Sequence, residues 1–293
     1  MGFHLVSDSS SNLPKEVIDE FGITIIPTPY YREGEDAEFR SDLVNQTVDM
    51  KEFFEGMERG EVFKTSLITY AVCEEYLGPL LRDTDEDILY IVFSSGLTGT
   101  YEVVRGYFRE QADRYPGRKL IAIDSLAASL GMGLIVYKAA CLQRDGADID
   151  EVATWVREHV LESCHWFTVS DLKYLRRGGR ISGASAAVGT MLDIKPVMHV
   201  NNEGKLEPVE KVRGRRKSIN ALVDHMAATA FEPVADQDVF IVHGNCPDDA
   251  EYLRAQVEER MGVTKFLINY LDPVIGAHSG PGTLALFFMG HPR

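Results

Sequence analysis

The stretch ILYIVFSSGLTGTY, residues 88–101, decides how the chain is organised. ILYIVF reads as a strand buried on both faces, because no charged residue interrupts it. It ends in SSG, and a helical pattern opens at Thr100 and runs to about Tyr115. A buried strand turning straight into a helix is one step of a βα ladder. Open α/β sheets gather ligands at the carboxyl ends of such strands. There the turn at Ser94, Ser95 and Gly96 offers hydroxyls and backbone amides to an anion. The same turn is also a common way to cap a helix.

Working outward, FHLV precedes a helix over 14–21, and ITIIP follows as a second strand. Amphipathic helices are expected at 49–59 and 70–82. Strand KLIAID then leads to a long helix at 126–144, and Asp150 caps another that runs to about Glu162. This alternation implies a mostly parallel sheet covered on both faces. The pattern then changes. HWFTV, a short helix DLKYLRR and a small-residue helix over 182–192 lead into a hairpin, IKPVMHV and KLEPVEKV joined by NNEG. A helix at 215–229, strand DVFIVHG, a helix at 248–261, strand KFLINYL and a final apolar strand complete the chain. The expectation is an α/β protein of two α/β domains. The first, residues 1–160, has a mostly parallel sheet and the second, 161–293, a mixed one, with a ligand site at or near their interface.

Composition narrows the function. A net charge of -15 from 45 acidic and 30 basic residues argues against nucleic acid and against stable membrane insertion. No apolar run reaches the roughly 18 residues of a membrane span. The start MGFHLVSDSS lacks the basic region of a secretory leader. Cys73, Cys141, Cys164 and Cys246 are far apart with no CxxC pair, so reduced thiols and a cytoplasmic location are expected. No histidine pair has metal-ligand spacing, so no metal is expected.

Other segments invite a functional reading. In GAHSGPGT, residues 276–283, a glycine-rich loop presents His278. Thr65 and Ser66 add hydroxyls before a helix. In DSLAASLGMG, small residues such as Ala128 and Gly131 allow close packing, or leave room for a thin apolar ligand. YLRRGGRIS and KVRGRRKS concentrate cations in an acidic chain.

Taken in order, SDSSSNLP, FSSGLTGTY, DSLAASLGMG, YLRRGGRIS, IKPVMHVNNEGKLEPVEKVRGRRKS and GAHSGPGT resemble the DegV family of fatty-acid-binding proteins over nearly the whole chain. The resemblance implies a buried long-chain fatty acid as ligand, with no cofactor. It also implies a role as the acyl-carrying subunit of a bacterial fatty acid kinase. A separate ATP-dependent kinase subunit would phosphorylate the carboxylate for phospholipid synthesis, so this chain itself would not be an enzyme. The carboxylate is then assigned to Thr65, Ser66, Ser94, Ser95, Gly96 and His278, and close approach of the tail to Ala128 and Gly131. Docking of the kinase falls to Arg176, Arg177, Arg180 and Arg213. One departure stands out. Where the family reads TSxPS, this chain has TSLIT, with Ile68 and Thr69 in place of the proline and serine. The competing reading is a serine hydrolase or esterase using Ser94 or Ser95 with His278, although the turn lacks a GxSxG elbow.

Overall fold

The computed structural model describes residues 2–181 and 194–291. In chain order the elements are β1 (Phe3–Asp8), α1 (Lys15–Phe21), β2 (Thr24–Ile26), β3 (Pro29–Arg32), β4 (Glu38–Arg40), α2 (Met50–Glu58), β5 (Phe63–Thr65) and α3 (Tyr70–Asp83). Then follow β6 (Asp87–Val92), α4 (Thr100–Arg114), β7 (Leu120–Asp124), α5 (Ser129–Arg144), α6 (Ile149–His159), β8 (Ser163–Thr168) and α7 (Lys173–Arg177). Past the undescribed stretch come β9 (Ile194–Val200), β10 (Leu206–Arg213), α8 (Arg215–Thr229), β11 (Asp238–His243), α9 (Pro247–Met261), β12 (Lys265–Tyr270), α10 (Pro273–Ser279) and β13 (Leu284–Met289). The small-residue helix expected at 182–192 lies outside the described residues.

The protein is α/β, with a parallel sheet in order β2-β1-β6-β7 and a mixed sheet in order β10-β9-β8-β13-β11-β12. In the mixed sheet only β11 and β12 pair in parallel; β10–β9, β9–β8, β8–β13 and β13–β11 are antiparallel. β6, which opened the sequence reading, is central to the parallel sheet and buried along nearly its whole length. One apolar cluster crosses residue 160, joining Leu89, Ile91 and Phe93 to Phe167, Phe240 and Phe287. α5 lies inside it. Its residues Ser129 to Val136 are all buried, so it is apolar all round rather than amphipathic.

Several local expectations shift. The long helix begins at Ser129 rather than 126, because Leu126 and Ser129 have positive φ of 48° and 54° and break the turn. Asp148, not Asp150, caps α6: its carboxylate accepts the amides of Asp150 and Glu151, while Glu151 reaches back to the Asp148 amide. A third sheet, order β4-β3-β5, had no counterpart in the sequence reading. Finally, residues 276–279, expected as a loop, form the end of α10, which Asp272 caps through the amides of Val274 and Ile275.

Candidate functional site

The FSSGL turn is held in the fold by hydrogen bonds of its own. Ser94 is fully buried, and its Oγ donates to the carbonyl of Gly204 at 2.8 Å, in the NNEG turn of the β9–β10 hairpin. The same Oγ accepts the amide of Gly96 at 3.1 Å. A Cβ on Gly96 would stand 2.5 Å from the carbonyl oxygen of Glu203, so only glycine permits this approach. Ser95 is exposed, and its amide donates to Asp124. None of the three lines the large cavity beside them. Ser94 and Gly96 thus tie the turn to the β9–β10 hairpin, while Ser95 is held to β7 through Asp124. Ser94→Ala should cost roughly 1–3 kcal/mol of stability, because it leaves the Gly204 carbonyl buried and unpaired. Chemical denaturation checks this; unchanged stability would contradict it.

The cavity encloses about 400 Å³. The mixed sheet supplies an apolar wall with Phe167, Val200, Leu206, Val242, Ala285 and Phe287, and Phe93, Ala128, Leu271 and Val274 add to the apolar lining. Polar groups collect on another part of the lining: Thr65, Ser66, Thr98, Thr100, Arg180 and His278. Short contacts tie these together. His278 Nε2 and Thr65 Oγ1 are 2.8 Å apart, and Thr98 and Thr100 hydroxyls are 3.1 Å apart. Thr100 Oγ1 also accepts the amide of Ile68 at 3.3 Å. The departure TSLIT is accommodated here: Ile68 is fully buried, and Thr69 caps α3 through the amide of Val72. Leu67, just before Ile68, is exposed and lines the cavity.

Arg180 is the main surprise. Expected at a docking surface, it instead lines the cavity, with its guanidinium donating to the carbonyls of Gly178 at 2.5 Å and Leu97 at 3.2 Å. Burial holds its pKa below the ordinary arginine value, and among the described residues no carboxylate pairs with it. Arg176 and Arg177 are exposed on α7, with Arg177 stacked 5.2 Å over the Tyr174 ring, and Arg213 is exposed at the end of β10. His278 is neutral at ordinary pH: burial, and then the charges of Arg180 and Arg177, push it down to about 3. Its imidazole offers a hydrogen bond but no positive charge.

Gly131, expected to leave room for the ligand, faces His165 instead. A Cβ there would meet the ring at 2.0 Å, so the glycine lets α5 seat against β8. His165 does line the cavity and accepts the Ala128 amide at 3.2 Å.

Sequence reasoning missed Asp8. Its carboxyl sits at the end of β1, fully buried and in the cavity lining, where it accepts the amides of Ser10 at 3.0 Å and Phe93 at 3.2 Å. Burial pushes its pKa up to about 6. The only sequence signal was its place in SDSSSN after an apolar strand. Among the described residues neither serine is bonded to the imidazole: Ser94 meets Gly204, His278 meets Thr65, and Ser95 is exposed.

A cavity with an apolar wall, several hydroxyls and a guanidinium that pairs with no carboxylate among the described residues suits an amphiphilic anion. The comparisons agree in kind. A family model described as "Uncharacterised protein, DegV family" matches residues 2–291. A DegV domain-containing protein of Clostridium perfringens is 36% identical over 99% of this chain and 98% of its own. A solved structure reporting fatty acid binding of a DegV family protein from Thermus thermophilus is 28% identical, with a TM-score of 0.84 over 99% of this chain and 100% of that one. DegV of Bacillus subtilis, described as a fatty acid binding protein, superposes at a TM-score of 0.82 with 26% identity over 99% of this chain and 100% of its own. With the fold, the cavity and a match that runs almost end to end, the chain belongs to the DegV family.

Proposed function

We propose that this protein binds a long-chain fatty acid, with the acyl tail against Phe167, Val242 and Phe287 and the carboxylate beside Arg180, Thr65, Ser66 and His278. The observation that carries the reading is Arg180: a partly buried cation in the cavity lining that forms no ion pair with a carboxylate among the described residues. An uncompensated buried charge is costly, and a bound anion relieves that cost. The two solved relatives named above are themselves described as fatty acid binding. Each methylene buried against the apolar wall contributes roughly 0.8 kcal/mol.

In this reading the two α/β units, residues 1–160 and 161–293, hold the ligand between them, and the protein is a cytoplasmic carrier rather than an enzyme. It presents the carboxylate to a separate ATP-dependent kinase subunit, which docks over the exposed Arg176, Arg177 and Arg213. No side chain here has to act as a nucleophile.

Extracting the natively folded protein with organic solvent and analysing the extract by mass spectrometry tests the ligand. A stoichiometric long-chain acid is expected. Its absence, together with failure of the protein to take up palmitate, would end the proposal. Charge reversal at Arg177 and Arg213 separates the two roles: acid uptake should persist while kinase-dependent acyl phosphate formation falls.

A further inference from the structure

We propose that the cavity is built for an acyl chain bearing a hydroxyl on its second or third carbon, and that Thr28, with Ser10 and Asp8, receives that hydroxyl. The inference rests on the fatty-acid reading above and deepens it.

Thr28 and Ser10 both line the cavity, and they are 5% and 1% exposed. Among the described residues, neither hydroxyl has a hydrogen-bond partner. The rest of Thr28 is fully engaged: its amide donates to Ser9 Oγ at 3.1 Å, and its carbonyl accepts the Ser41 amide at 3.1 Å. Only the side-chain oxygen is left over. Ser10 Oγ lies close enough to the Asp8 carboxyl to help hold its pKa down, yet makes no hydrogen bond of normal geometry. A buried hydroxyl without a partner carries its whole desolvation cost, so such groups normally meet a ligand or an ordered water. A plain alkyl chain offers them nothing.

The position along the ligand follows from the backbone. The residue after Thr28, Pro29, accepts the Ser66 amide at 3.1 Å, and Thr65, the neighbour of Ser66, contacts His278. The Thr28 segment therefore runs beside the proposed carboxylate site, which puts its hydroxyl within reach of the first carbons of the chain; Ser10 and Asp8 line the same cavity. Thr28 and Ser10 can each donate or accept, and Asp8 supplies a further acceptor, so a ligand hydroxyl finds complementary partners whichever way it points.

The test is a competition titration of delipidated protein with palmitate, 2-hydroxypalmitate, 3-hydroxypalmitate and 16-hydroxypalmitate. One of the first two hydroxy acids should bind about 3- to 10-fold more tightly than palmitate, and the 16-hydroxy acid should gain nothing. Thr28→Val should bring that ratio towards one, while Thr28→Ser keeps it. Thr28→Val should also raise the thermal midpoint of the ligand-free protein, because it deletes an unpartnered buried hydroxyl. If palmitate binds as well as both hydroxy acids, water satisfies these groups and the proposal falls while fatty acid binding stands. A ratio that survives Thr28→Val also overturns it. Failure of all four acids to bind would instead overturn the fatty-acid reading, and this proposal with it.

Discussion

Arg180→Ala is expected to weaken binding of a long-chain acid about 10- to 100-fold, and at the same time to make the ligand-free protein more stable. Both halves follow from one feature. The guanidinium lines the cavity, burial lowers its pKa, and among the described residues no carboxylate offsets its charge. Hydrogen bonds to a charged group contribute roughly 1.5–3 kcal/mol, and each 1.4 kcal/mol is about tenfold in affinity. Without ligand the same cation is partly buried with the carbonyls of Gly178 and Leu97 but no carboxylate among the described residues to offset its charge, and removing it relieves the protein. Opposed changes of this kind mark a site kept for function at the expense of stability. Titration calorimetry and thermal melting of the delipidated variant check the two halves. An Arg180→Ala protein that binds acid normally would return this residue to the docking surface with Arg176 and Arg177.

The second large effect concerns pH. Burial raises the Asp272 carboxyl from its ordinary 3.8 to about 7, with the nearby Asp8 charge adding to the rise against hydrogen bonds from Ser41 and the Val274 and Ile275 amides. Asp8 rises to about 6 for the same main reason. A folded state that holds its protons more tightly than the unfolded chain is favoured at low pH. The contribution from Asp272 is complete below about pH 4 and is lost as pH rises towards 7, a change on the order of 4 kcal/mol. Asparagine caps a helix about as well as aspartate, so Asp272→Asn should preserve α10 and remove this dependence. At pH 8 the variant should be the more stable protein, and the difference should shrink or reverse at pH 4. Urea unfolding at both values decides; a variant weakened equally at pH 4 and pH 8 would show that Asp272 matters only as a cap.

The sequence made the strands of the parallel sheet legible because their apolar runs have a physical cause, burial on both faces. β3, β4 and β5 were not legible, since strands of three or four residues such as EFR and FKT carry too little pattern to be told from loop. At the site, the hydroxyl pair Thr65 and Ser66 and the imidazole of His278 could be picked out by composition, and they do line the cavity. The bond from Ser94 to Gly204 was not legible because the two lie 110 residues apart, and no local pattern reveals which backbone a buried hydroxyl will meet. The place of Arg180 in the cavity lining was hidden for the opposite reason. The residue stands beside two surface arginines in sequence, but turns inward after Gly178 and Gly179, to the carbonyls of Gly178 and Leu97. Asp8 shows a further limit: a carboxyl at the end of a buried strand looks like an ordinary strand terminus until the fold closes over it.

The central claim is that the cavity holds an acyl tail while Arg180 and its neighbours hold the carboxylate. Titrating delipidated protein with saturated acids of increasing length tests it most directly. Affinity should rise about fourfold for each added methylene, in line with roughly 0.8 kcal/mol of burial, until the cavity of about 400 Å³ is filled, and then level off. Affinity that stays flat with chain length from the shortest acid onward would contradict the account.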